Sequence, residues 1–503
     1  MSSGWRGPRR DLLRGAAVIG LGGVAAAACA PFGAFPALSG ARPTAGASAQ
    51  GFKEPVVRAS SGGLLETTLE ARLTATTVAG RPATTLTYEG TVPGPTLRVR
   101  PGDRVRVKLV NRLDEPTNLH FHGLHVPPTG NADNPFLHAM PGETLQYEFA
   151  VPADHPAGTF WYHPHIHGSV ADQVFKGLVG AIVIEGDLDR VPAIAAASER
   201  LLILKDTTLD AAGRVPAPTM MERMHGREGA LLTINGLLGP SLELRPGEVQ
   251  RWRLINASNA RYYRLRLDGH RLHQIAGDFG PLPATLAIDE LLLPPAKRAD
   301  VLVQAGSAGS YKLATLAYDR GGGHEMIGGH DMMGMDSHDH SAGDVPAEGS
   351  LLELVVRGDP ISAALPERLL PVEDANSDAV AARRQFVLSE AMGPGGMVPM
   401  INGRVFDETR LDTRVRLGTT EEWTVSNDGE MDHAFHLHTN PFRVVAVNGQ
   451  AAPFRGWEDT VNVRRGESVT LRVRFRDFAG KTVYHCHILE HEDLGMMGTV
   501  EAG

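Results

Sequence analysis

The chain has 503 residues, a net charge of −9, and 42% hydrophobic against 21% charged residues. That length provides for two to four domains with cores large enough to need no disulfide staple, and the dispersed negative charge argues against a nucleic-acid partner. Cysteine is scarce, at two (Cys29 and Cys486), whereas histidine is abundant, at 21.

The N-terminus comes first. Arg6, Arg9, Arg10 and Arg14 form a basic region with a twin arginine at Arg9-Arg10. The apolar run that follows, Gly15 to Ala30, is too short and too rich in Gly and Ala for a membrane span. Residues 1–50 therefore read as a twin-arginine export signal with a leader or linker, which sends a folded protein to the periplasm, the cell envelope or the medium. Ala47-Ser48-Ala49 offers a cleavage site. A lipid anchor at Cys29 is the weaker alternative, because Ala-Ala-Ala-Cys29 lacks the large aliphatic residue expected three positions before the cysteine.

Beyond the leader, one pattern occurs three times. The chain reads Leu97-Arg-Val-Arg-Pro-Gly102-Asp-Arg-Val-Arg-Val-Lys-Leu-Val-Asn111, then Leu242-Glu-Leu-Arg-Pro-Gly247-Glu-Val-Gln-Arg-Trp-Arg-Leu-Ile-Asn256, then Val415-Arg-Leu-Gly418-Thr-Thr-Glu-Glu-Trp-Thr-Val-Ser-Asn427. Period-two alternation marks strands with one buried face, and each copy places Asn nine residues after its Gly. Three similar all-β domains, each a sandwich or barrel, are expected over residues 51–187, 188–360 and 361–503.

Nine and eleven residues after the Asn, copy one has His120 and His122, copy three has His436 and His438, and copy two has Leu265 and Leu267. Later in copy one comes Trp161-Tyr162-His163-Pro164-His165, and later in copy three Val483-Tyr484-His485-Cys486-His487; copy two offers Tyr311-Lys-Leu-Ala. Residues two apart on a strand point the same way. The four His-x-His pairs thus aim eight imidazoles at a cluster of three metals between the first and third domains, and domain two becomes a spacer. A second site surrounds Cys486, with His433, His491 and Met496. Two imidazoles, a thiolate and a weak axial thioether make a blue-copper electron-transfer set, whose cysteine lies between two cluster histidines.

With these motifs the chain resembles the multicopper oxidases, most closely the bacterial laccases of the Thermus type, from about Pro55 to Gly503. The carriers are His120-Phe-His122-Gly123-Leu124-His125, Phe160-Trp161-Tyr162-His163-Pro164-His165-Ile166-His167-Gly168, His433-Ala-Phe-His436-Leu437-His438 and His485-Cys486-His487-Ile-Leu-Glu-His491-Glu-Asp-Leu-Gly-Met496. The resemblance implies three consecutive cupredoxin-like domains and four copper ions. It assigns His433, Cys486, His491 and Met496 to the type 1 ion, and His120 and His436 to type 2. Of the type 3 pair, one ion takes His122, His163 and His485, and the other takes His165, His438 and His487. His125 and His167 are expected to support the site without ligating. The implied reaction passes four single electrons through Cys486 to dioxygen, giving two waters. Asp133 and Glu490 are the implied proton-delivery acids. Asp432 is expected to orient His433 or take a substrate proton, and Asp459 to be structural.

Residues 324–340 hold four Met and four His in 17 positions, among much Gly and Asp. Thioethers select Cu(I), so Met326, His330, Met332, Met333, Met335, His338 and His340 read as a labile copper-collecting set, against a plain His-rich insertion. Three functions compete: a laccase-like oxidase of phenols and aromatic amines, a cuprous oxidase for copper tolerance, and a non-catalytic cupredoxin-fold structural protein. A two-domain nitrite reductase is excluded by the third repeat. A monomer with no transmembrane span is expected, its partners being a small-molecule reductant or Cu(I), and dioxygen.

Overall fold

The structure is a computed structural model that describes residues 51–322, 349–393 and 396–503. The leader with its twin arginine and Cys29, and the Met/His tract of residues 324–340, lie outside the described residues. Among the described residues six β-sheets form, two within Val57–Ile184, two within Ser198–Val356 and two within Val380–Ala502.

The alternating pattern does what the sequence requires of it. In strand Ser468–Phe475 every second residue (Val469, Leu471, Val473, Phe475) is buried, so one face packs on the facing sheet while the other meets solvent. Each sheet pair encloses a core of its own, typified by Leu109 and Phe121, by Trp252 and Leu265, and by Trp423 and Phe435.

The repeated glycine and asparagine both have structural causes. Gly102, Gly247 and Gly418 turn the chain at φ of +88°, +78° and +71°, a region costly for residues with a Cβ. Nine residues on, each Asn is buried and ties down the next loop. Asn111 Nδ2 donates to the carbonyls of Glu115 and Ala139, Asn256 Nδ2 to those of Arg261 and Leu293, and Asn427 Nδ2 to those of Met431 and Val463. Each Asn Oδ1 accepts from the amide two residues ahead. The three Asn also share a strand partner: they end strands paired in parallel with Leu64–Val78, Ser198–Thr207 and Val380–Gly393.

A further buried cluster joins the three sheet pairs. It takes Trp161, Val170 and Val174 from the first, Leu201, Ile203, Ile255 and Ala296 from the second, and Leu489 from the third. No helix among the described residues is long and apolar enough to cross a membrane.

Candidate metal centres

The four histidine pairs end strands that meet in register. Strand His120–His122 runs antiparallel to Gly158–His163 with His120 opposite His163. Strand His433–Leu437 runs antiparallel to Gly480–Cys486 with His436 opposite His485. The corresponding pairing of the middle repeat, Tyr263–Leu267 with Gly309–Leu316, carries Leu265 and Leu267 into an apolar core. The first and third sheet pairs face each other through their histidines. The His120 and His438 rings stack at 3.8 Å, and those of His122 and His436 at 3.9 Å. All eight imidazoles are buried, none more than 3% exposed.

These rings leave a distinctive set of unpartnered atoms: Nε2 of His120, His163 and His436, Nδ1 of His122 and His438, and both nitrogens of His487. Buried polar atoms are almost always hydrogen-bonded, and neighbouring imidazole nitrogens without partners suit a cation. His485 Nε2 also stands 3.2 Å from His165 Nε2 and 3.1 Å from His438 Nε2, close enough for one ion to serve all three. Burial and crowding by other histidines hold the rings neutral. Burial, first, takes His165 and His485 down to about 4. Neutral imidazole is the ligating form. The donor set therefore fits a cluster of metal ions, and imidazole ligands suit copper.

The opposite ring nitrogens are fixed by neighbours, as metal-binding histidines require. Asp133 lies 3.0 Å from His120 Nδ1 and accepts the Phe121 amide. His163 Nδ1 donates to the Pro164 carbonyl, and His436 Nδ1 to the Asp459 carbonyl. His122 Nε2 lies 3.1 Å from Asp459 Oδ1. Burial pushes Asp133 up to about 7. Asp459 is equally buried, yet the Arg298 guanidinium holds it well below the usual carboxylate range.

At the second site Cys486 Sγ lies 3.4 Å from His433 Nδ1 and 3.8 Å from His491 Nδ1, and the two nitrogens are 3.3 Å apart. His433 Nε2 donates to Glu390 at 2.7 Å, and His491 Nε2 to the Met224 carbonyl at 3.1 Å. Burial drives the Cys486 thiol far up, so a thiolate here needs a bound cation. Met496 is fully buried in the core that contains Cys486, whereas Met497 lines a cavity of about 300 Å³ beside His165.

Four details depart from the sequence reading. His485 and His487 exchange partners. His485 joins His165 and His438, while the His487 ring lies 5.0 Å from His122 and 5.4 Å from His163. His485 lies opposite His436 on strand His433–Leu437, whereas His487 follows the end of its own strand. Glu490 faces away from the cluster and accepts from Asn259. It lines a solvent-facing cavity with Arg227 and Asp493. The acid against the cluster is Glu492, fully buried, 3.1 Å from His485 Nδ1 and 3.4 Å from His165 Nε2. Asp432 does not hold His433, since it accepts from Tyr318 and Asn462; Glu390 is the orienting carboxylate. Asp459, set aside as structural, reaches both His122 and His436. His125 ties the two halves together by bonds to the Thr439 carbonyl and Asp477, and His167 is exposed beside Phe406.

The chain matches three family models, each described as multicopper oxidase, over residues 70–189, 202–325 and 376–503. It is 30% identical to the multicopper oxidase mco of Staphylococcus haemolyticus, over 83% of each chain. It is 32% identical to the cell division protein FtsP of Dickeya dadantii, over 82% of this chain and 84% of that one. Among solved structures it is similar to a multicopper oxidase of Campylobacter jejuni described as a metallo-oxidase (33% identity, 90% and 94% coverage, TM-score 0.78). It is also similar to a laccase of Pediococcus acidilactici (28%, 91% and 95%, TM-score 0.76).

Proposed function

Because this chain belongs to the multicopper oxidase family, we propose that it is a laccase-like enzyme that couples four one-electron oxidations of a phenol or aromatic amine to reduction of dioxygen to water. The observation that carries this reading is the convergence of unpartnered buried nitrogens from His120, His122, His163, His436, His438 and His487 beside a two-histidine, one-cysteine set. Copper bound at the two sites supplies single-electron acceptance from the reductant at Cys486 and four-electron reduction of dioxygen at the histidine cluster. In this reading four ions bind. His433, Cys486, His491 and Met496 hold type 1, and His120 and His436 hold type 2. The type 3 ions divide as His165, His438, His485 and His122, His163, His487.

The chain's own part is positional. Cys486 lies between His485 and His487, so adjacent peptide units join the two sites. Helix Leu489–Asp493 carries His491 toward one site and Glu492 toward the other. Glu492 has burial pushing its carboxyl upward, which suits an acid that holds a proton next to His485. Asp133 fixes His120 from the opposite side. Residues 1–50 are read as directing twin-arginine export to the periplasm or cell envelope, and the enzyme as a monomer.

A second reading, a cuprous oxidase, has its own support. Exposed methionines stand on elements that hold the histidines of this site: Met220 at 61% and Met221 at 49%, on the helix whose Met224 carbonyl holds His491, and Met392 at 74%, on the strand that carries Glu390. The described chain that precedes the Met/His tract pairs Gly321 with Met431, two residues before His433. Thioethers prefer cuprous ion. Steady-state kinetics with a phenol and with Cu(I), each with and without added Cu(II), separate the two readings. A purified protein that binds no copper and shows no blue colour would leave only the structural-protein alternative.

A further inference from the structure

We propose that Arg298 is a positioning residue for the histidine cluster, through which the middle sheet pair, whose described residues add no histidine to that cluster, determines which nitrogen His122 presents to copper. The inference rests on the cluster reading above and adds a residue to it.

Strand Arg298–Gln304 belongs to the second sheet pair, and its first side chain is fully buried. The guanidinium grips both oxygens of Asp459: Nη1 donates to Oδ1 at 2.7 Å, and Nη2 donates to Oδ2. Its remaining hydrogens are also used. Nη1 reaches the Ala296 carbonyl, Nη2 the Asp278 carbonyl at 2.8 Å, and Nε the Thr159 carbonyl at 3.3 Å. The fork cannot turn without breaking several of these bonds, and an arginine fork matched to a carboxylate fixes geometry as well as charge.

What Asp459 touches gives the grip its consequence. Its Oδ1, already accepting from Arg298 and from Thr460 Oγ1, lies 3.1 Å from His122 Nε2. A carboxylate locked on the far side by arginine presents only acceptor capacity to the ring. The ring's hydrogen must therefore sit on Nε2, leaving Nδ1 bare, and Nδ1 is the His122 nitrogen without a partner. His120, His163 and His436 have the reverse arrangement, each with Nε2 unpartnered. His122 is thus turned end for end relative to them, and Asp459 stands behind the turn.

Two more features belong to the same device. Lys297, next to Arg298, donates to the Thr460 carbonyl at 2.8 Å and to Glu458, so consecutive residues of the second sheet pair hold the consecutive residues 458–460. Gly123, directly after His122, has φ of +86°; a Cβ there would meet Arg298 Nη2 and would stand 2.6 Å from Asp459 Oδ2. The glycine leaves room for the arginine–aspartate pair behind the histidine.

The test uses the full chain, copper-free and copper-loaded. In copper-free protein labelled with [15N]histidine, with His122→Gln to assign the signal, the His122 proton should be on Nε2; a proton on Nδ1 overturns the proposal. Arg298→Lys keeps the charge and loses the fork. It should give a mixed His122 tautomer and weaken retention of the cluster copper against a chelator about ten- to a hundredfold, while the blue absorption per folded chain is unchanged. An unaltered tautomer and unaltered retention would count against Arg298. Should Arg298→Lys not fold, Gly123→Ala tests the same contact and should mix the tautomer in the same way, and the wild-type tautomer decides alone if neither variant folds. Wild-type protein that takes up copper only at Cys486 would remove the cluster reading instead, whatever the tautomer.

Discussion

At the scale of single residues, the two sites make opposite demands. Among the described residues Cys486 is the only cysteine, so Cys486→Ser should abolish blue colour and turnover and leave the β-rich circular dichroism unchanged. A coloured, active variant would contradict the type 1 assignment. Glu492 and Glu490 are separated by a single residue yet face different surroundings, one against His485 and His165, the other against Asn259. Glu492→Gln should slow reoxidation of the reduced enzyme by dioxygen about a hundredfold, in keeping with loss of a general acid, whereas Glu490→Gln should change it little. Rapid mixing with dioxygen distinguishes the two, and an equal effect would remove the distinction drawn here. The proposed ligands were legible in the sequence because only His, Cys and Met supply the chemistry, at strand spacing. Their supporting acids were not. Glu390 stands 43 residues from His433, and Asp459 stands 337 from His122, so no local pattern joins them. Glu490 drew attention by lying next to His491, but one step along a helix turns a side chain by about 100°.

At the scale of elements, the Gly-to-Asn spacing made the repeat visible, and the structure gives its cause. A buried Asn two bonds deep into the following loop is costly to lose. Asn256→Ala leaves two carbonyls and one amide unpaired in a buried loop and should cost about 3 kcal/mol. Chemical denaturation should show the lower midpoint, and the folded fraction should keep its blue colour because Asn256 lies apart from the ligands around Cys486. Alternation likewise made the strands readable. Register was not readable, and the exchange of His485 and His487 follows from that. A His-x-His pair is seen in sequence as a direction, and only the strand opposite says which ring meets which.

At the scale of the whole molecule, the three sheet pairs are held by a shared buried cluster from Trp161 to Leu489 and by the gripping of residues 458–460. The Met/His tract is the part of the sequence whose role is decided by kinetics. Removing residues 324–340 should lower cuprous oxidation about tenfold, equivalent to about 1.4 kcal/mol of transition-state stabilisation, and leave phenol oxidation in copper-free buffer undiminished. Loss of both together would make the tract structural.

The strands that bring His120 and His163 to the junction come early among the described residues, and strand Gly480–Cys486 comes late among them. The groups that complete both centres lie together in one short stretch: His485, Cys486, His487, His491 and Met496 all follow residue 480. Without the stretch from Gly480 onward, six of the eight cluster histidines remain, but of the other set only His433 remains and there is no thiolate. Blue colour thereby reports that the stretch from His485 to Met496 is present and folded, independently of turnover.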